Sequence, residues 1–124
     1  MLSQKDNEYS PFIFVLWLQI SIFNSMTLIK SISGIRGTVG GRPGDNLTPL
    51  DIVKFVSAYA TWLKTGAGKT RAKIVLGRDA RISGEMYAKL VEATLSGLGH
   101  DVVNIGLATT PTTEIAVTAE QADG

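Results

Sequence analysis

Apolar residues at Ile52, Val56, Tyr59 and Leu63 recur at helical spacing and form one stripe, which predicts an amphipathic helix. Its start is signalled by Thr48 as N-cap, Pro49 at the first helical position and Asp51 three residues after the cap; Gly66 and Gly68 end it. Upstream, Leu28-Ile29-Lys30-Ser31-Ile32 alternates and predicts a first strand leading into a glycine-rich stretch over 34–44. Downstream, Lys73-Ile74-Val75-Leu76-Gly77 reads as a short buried strand. Ser83 is expected to cap a second helix with Met86, Leu90, Ala93 and Leu98 facing inward, ended by Gly97 and Gly99. Asp101-Val102-Val103-Asn104-Ile105-Gly106 is the next strand, and Thr110-Pro111 opens a third helix carrying Ile115 and Val117. Strand and helix alternating at this spacing predict an α/β domain. It is expected to be three-layered, with helices flanking a mixed, mostly parallel sheet, and the strands around Ile74 and Val103 should be parallel neighbours joined by a right-handed crossover.

Residues 1–25 depart from this pattern. They hold no glycine and include the apolar run 12–23, which is shorter than the roughly 20 residues a membrane span requires. Lys5 is outweighed by Asp6 and Glu8, and no Ala-x-Ala-like site follows, so a signal peptide is not indicated. Met26 begins the globular pattern. The expectation is therefore an extension over 1–25, outside the fold, and one domain over 26–124.

Composition narrows the chemistry. The 124 residues carry 12 Lys+Arg against 11 Asp+Glu, which argues against a generic nucleic-acid binder held by phosphate attraction. Cysteine is absent, excluding a disulfide scaffold, a thiolate metal site and a cysteine nucleophile. The single histidine, His100, has no partner for a His-based cluster and is expected to be solvent-facing or locally bonded. The absence of cysteine and of an export signal points to the cytoplasm. Gly66-Ala67-Gly68-Lys69-Thr70 resembles the tail of a P-loop but has Leu63 where that motif needs glycine, and it follows a helix instead of a strand. The spacing of Gly34, Gly37 and Gly40 likewise fails the dinucleotide fingerprint.

What remains is arginine held in glycine-rich backbone. In Ser33-Gly34-Ile35-Arg36-Gly37-Thr38-Val39-Gly40-Gly41, glycine lets backbone N–H groups approach an anion, and the Arg36 guanidinium offers a planar fork matched to phosphate oxygens. A tight turn with a solvated Arg36 is the competing reading. In Gly77-Arg78-Asp79-Ala80-Arg81-Ile82-Ser83-Gly84 two arginines flank an aspartate, which favours an ion-pair network ordering the loop, with Arg81 near enough to a helix N-terminus to meet an anion there. The hydroxyls of Gly106-Leu107-Ala108-Thr109-Thr110-Pro111-Thr112 are explained by a helix start, though they could also bond a ligand.

These three loops, in this order, resemble the first domain of the α-D-phosphohexomutase family, which includes phosphoglucomutase, phosphomannomutase and phosphoglucosamine mutase. Ser33-Gly34-Ile35-Arg36-Gly37 matches its Gly-Ile-Arg-Gly segment, the 77–84 loop its Gly-Arg/Lys-Asp-x-Arg-x-Ser segment, and Thr110-Pro111-Thr112 its Thr-Pro segment. The phosphoglucosamine mutase branch is nearest, with Ser33 standing where that branch usually has aspartate. The resemblance implies interconversion of hexose 1-phosphates and 6-phosphates through a phosphoserine enzyme and a hexose bisphosphate, aided by Mg2+. It gives Arg36 the role of facing the phosphoserine and the bisphosphate, and leaves Arg78, Asp79 and Arg81 as residues that order the loop. The family's Ser-His-Asn-Pro loop, its aspartate-rich magnesium loop and its sugar-recognition segment do not occur in these residues, so neither the catalytic serine nor the metal ligands are expected here. The chain is accordingly read as the front of a longer enzyme, inactive by itself, with a sheet lacking its last strand and an unpaired edge left behind. The alternatives are a stand-alone α/β module that holds a sugar phosphate without catalysis, and an interaction protein working through its apolar N-terminal segment.

Overall fold

The computed structural model describes residues 26–124; the expectations for 1–25 fall outside the described residues. Helix α1 (Pro49–Ala67) begins where its capping chemistry dictates. Asp51 N–H donates to Thr48 Oγ1, and the Asp51 carboxylate accepts in return from the Thr48 N–H at 3.0 Å, closing a capping box with Pro49 at the helix start. Gly66 lies within the helix, and Gly68, at φ 61°, turns the chain out of it.

Strands β3 (Lys73–Arg78) and β4 (Asp101–Leu107) pair in parallel, as the alternation of elements requires, from Lys73 opposite Asp101 to Arg78 opposite Leu107. Between them runs α2 (Gly84–Gly97), the crossover helix. Ile74 turns to the side where α1 and α2 pack, joining Ala60, Leu63, Ala72 and Leu95 in a core flanked by Val56, Val91 and Val102. Gly77, on the alternate face of β3, lies under α3 (Thr110–Ala119): a Cβ there would come 2.5 Å from Thr113 Oγ1 and 3.3 Å from Ala108 Cβ. Helices therefore cover both faces of the parallel pair.

Three local expectations are corrected. The inward stripe of α2 is Ala88, Val91 and Leu95, whereas Met86, Ala93 and Leu98 are exposed and Leu90 is half-buried. Ser83 occupies the N-cap of α2 but its side chain makes no cap hydrogen bond. The cap of α3 is Thr109, whose Oγ1 accepts from the Thr112 N–H, so Pro111 is its second residue, and Ile115 is exposed.

The first strand, β1 (Ile29–Ser31), pairs antiparallel with β2 (Gly34–Arg36) in a ladder separate from the β3–β4 pair. The edge of β3 away from β4 is not bare. Asp123 N–H donates to Lys73 O (2.7 Å) and Val75 N–H to Gly124 O (2.8 Å), while the Asp123 carboxylate accepts from the Lys73 N–H (2.9 Å) and from Lys69 Nζ (2.5 Å). The lysine of the P-loop look-alike is thus engaged in a contact at the sheet edge. His100 is buried, with Nδ1 accepting from the Ala72 N–H at 3.1 Å, the locally bonded form of the two expected.

Candidate functional site

In a parallel pair, loops leaving the carboxyl ends of the strands gather at one end of the sheet. Here β3 ends at Arg78 and β4 at Leu107, and the Ala108 N–H donates to Arg78 O (2.9 Å), joining the two exits. The loop after β3 is ordered around Asp79. Its Oδ1 accepts from the Arg81 N–H at 3.1 Å, its Oδ2 lies 3.2 Å from Arg81 Nε, and its carbonyl accepts from Arg78 Nη1 at 3.3 Å. The ion pair thus involves Arg81, while Arg78 reaches only the backbone. Both partners of the Asp79–Arg81 pair are largely exposed, so the pair sets loop geometry and adds little stability. Gly84 is where this loop closes on the helix start, since a Cβ there would lie 3.2 Å from Asp79 O.

Arg36 is the last residue of β2, opposite Ile29 across a turn that Gly34 makes at φ 119°. Its side chain is exposed, and among the described residues it takes part in no hydrogen bond or ion pair. The next residue, Gly37, sits so near the incoming chain that a Cβ would be 3.0 Å from both Leu47 N and Leu47 Cβ. That approach is fastened by Leu47 N–H to Thr38 O (2.9 Å), Gly40 N–H to Leu47 O (3.2 Å) and Tyr87 Oη–H to Leu47 O (3.0 Å).

The consequence is a cleft of about 380 Å³ in which Arg36 and Gly37 face Arg81, Ser83, Gly84 and Tyr87. Two loops far apart in the sequence meet across it, both carrying arginine, beside the N-terminus of α2. The Thr109 loop does not enter this cleft. It forms a neighbouring one, about 440 Å³, with Arg78, Leu107 and Thr112, and Asp79 borders both. Chemically, two guanidinium groups, a hydroxyl not spent on capping and the first N–H groups of a helix suit a phosphate ester. Sequence reasoning did not single out Leu47 or Tyr87. Their link spans 40 positions, and no short-range spacing signals it. Burial pushes the Tyr87 phenol up from its ordinary value, which already leaves it protonated and able to donate at neutral pH.

Among the described residues no group of three or more His, Asp or Glu side chains is placed to hold a metal ion.

Residues 28–124 match the family described as phosphoglucomutase/phosphomannomutase, alpha/beta/alpha domain I. A phosphoglucomutase/phosphomannomutase of Thermococcus kodakarensis is 41% identical over 93 residues, covering 71% of this chain and 20% of the relative. A phosphoglucosamine mutase of Chromohalobacter salexigens is 43% identical over 79 residues, covering 63% and 17%. A phosphoglucosamine/phosphogalactosamine mutase of Sulfurisphaera tokodaii is 37% identical over 91 residues, covering 73% and 18%. The chain thus spans no more than about a fifth of the length of these relatives. With the helices on both faces of the parallel pair and the two arginine loops at its carboxyl end, this match shows that the chain belongs to the phosphoglucomutase/phosphomannomutase family through its domain I.

Proposed function

We propose that these residues form the phosphate-gripping part of a phosphohexomutase, an isomerase that interconverts hexose or glucosamine 1-phosphates and 6-phosphates through a phosphoserine and a bisphosphate intermediate. The observation that carries the reading is the cleft in which Arg36 faces Arg81 and the start of α2. In this role the Arg36 guanidinium donates a fork of N–H bonds to phosphoryl oxygens. Charge that builds on those oxygens during transfer is met by a fixed cation, which is the main aid a protein gives this chemistry. Arg78 and Asp79 hold the facing loop in shape, and Arg81 presents positive charge from it. Mg2+ belongs to the family's reaction, and its ligands lie outside these residues.

The 124 residues contain no Ser-His-Asn-Pro run, which supports the proposal that they bind the hexose phosphate without turning it over. The proposed setting is the cytoplasm, with small sugar phosphates and no nucleic acid as partners; among the described residues no helix is long and apolar enough to cross a membrane. Calorimetric titration of the chain with glucose 1,6-bisphosphate tests the reading. Arg36→Ala is expected to weaken binding about tenfold or more, the scale of a lost charge-assisted hydrogen bond. Equal affinity of the two proteins refutes the role of Arg36, and turnover by the purified chain refutes its inactivity.

A further inference from the structure

We infer that Tyr87 is a positioning residue for Arg36, holding the arginine loop at a set distance from the start of α2 through its bond to the Leu47 carbonyl; the inference rests on the phosphate-binding reading of that cleft. The β1–β2 hairpin that carries Arg36 is short, exposed and unpaired with the β3–β4 ladder. A lone two-stranded hairpin has little stability of its own. The position of Arg36 is therefore set by what fastens the chain on either side of it: Thr27 and Leu28 to Asp45 before the hairpin, and a second set of bonds just after it that faces α2.

That second set converges on Leu47. Its N–H donates to Thr38 O, and its carbonyl accepts from Gly40 on the arginine side and from Tyr87 on the α2 side. Gly37, adjacent to Arg36, is pressed against its N and Cβ. Tyr87 stands in the first turn of α2, where its N–H donates to Ser83 O at 3.1 Å, so its ring moves with the helix start that faces Arg36. Among the described residues, the phenol is the side-chain hydrogen bond joining α2 to the 37–47 segment. Its removal leaves the Leu47 carbonyl still bonded to Gly40, so the fold should survive while the cleft loses its fixed width.

The experiment uses the full chain, glucose 1,6-bisphosphate as probe, and amide NMR, calorimetry and thermal melting as readouts. Tyr87→Phe keeps the ring and deletes the donor. The expected result is about fivefold weaker binding, with displaced and faster-exchanging Gly37, Thr38 and Gly40 amides and a melting point lowered by about 4–8 °C, the shift that one net hydrogen bond gives a domain of this size. Unchanged affinity overturns the inference. So does weaker binding with undisturbed 37–40 amides, which marks a purely structural tyrosine, and so does failure of Y87F to fold. If the parent and R36A both fail to bind the probe, the phosphate-binding reading falls, and undisturbed 37–40 amides in Y87F would then overturn the positioning claim separately.

Discussion

Among the described residues Leu95 is the largest fully buried side chain, at 1% exposure, and its replacement by alanine is the most direct test of how α2 packs. Three buried carbons are lost, each worth about 0.8 kcal/mol on transfer from water, so roughly 2.5 kcal/mol disappears before any cavity is counted. Every 50 Å³ left unfilled would add about 1.2 kcal/mol. Leu95 also borders an apolar groove of about 410 Å³ between α1, β3 and the β1–β2 hairpin, and a void that opens into a groove can relax or admit water. The cavity contribution should accordingly fall at the low end, giving a total of about 3 kcal/mol. Against a domain stability of roughly 5–15 kcal/mol, that is a large share. Met86→Ala is the control, because Met86 is 48% exposed on the opposite side of the same helix and should cost under about 0.5 kcal/mol. Urea unfolding followed by circular dichroism at 25 °C measures both, with an unchanged slope as the sign that compactness was not altered. A loss below about 1 kcal/mol for L95A, or a larger loss for M86A than for L95A, would refute this packing of α2.

Two further changes test other parts of the structure. Thr48 hydrogen bonding first, then the N–H groups of Thr48 and Gly44, hold the Asp51 carboxyl below its usual 3.8, and Asp101 and Asp123 are lowered by Arg71 and Lys69. A depressed folded value means the unfolded chain takes up protons first; stability present above about pH 4 is then lost as pH falls through the lower folded values. Asp51→Asn should flatten that acid limb in urea midpoints measured between pH 5 and pH 2, and an unaltered slope would reject it. Gly77→Ala should cost about 1–2 kcal/mol in the same unfolding assay, because the new methyl meets Thr113 Oγ1, and Thr113→Ala in the same protein should recover most of it; no recovery would place the strain elsewhere.

The elements that the sequence made legible are those whose chemistry is local. Thr48, Pro49 and Asp51 fall within four residues, and together they form the helix start the structure contains. The strand at 73–78 was visible because a parallel strand covered on both faces is a continuous apolar run. The facing side of α2 was misjudged because Met86 and Leu90 outweigh Ala88 in size, yet a helix lying close on a sheet and a second helix needs a small residue at the contact, as Ala60 provides on α1. At α3 two adjacent threonines precede Pro111, and both could cap; the one in extended conformation, Thr109, does so. The Asp79–Arg81 pair was readable at a separation of two, whereas the meeting of Arg36 with Arg81 depends on where the hairpin lands.

Where the hairpin lands is decided by the start of α1 as much as by the strands. Thr27 and Leu28 N–H donate to Asp45 O, Asn46 Nδ2 donates to Thr27 Oγ1, and the Gly44 N–H donates to Asp51 Oδ1 at 3.0 Å. The carboxylate that closes the capping box therefore also anchors the glycine-rich segment from which the arginine loop hangs. Gly44 and Leu47, three residues apart at the end of that segment next to α1, are tied to α1 through Asp51 and to α2 through Tyr87, and the chain that carries Arg36 folds back onto Leu47 through Thr38 and Gly40. An anion bound by Arg36 from one side and by Arg81 from the other would add a third tie between the same two helices. Such a ligand stabilises the arrangement it requires, by an amount set by its concentration relative to its dissociation constant.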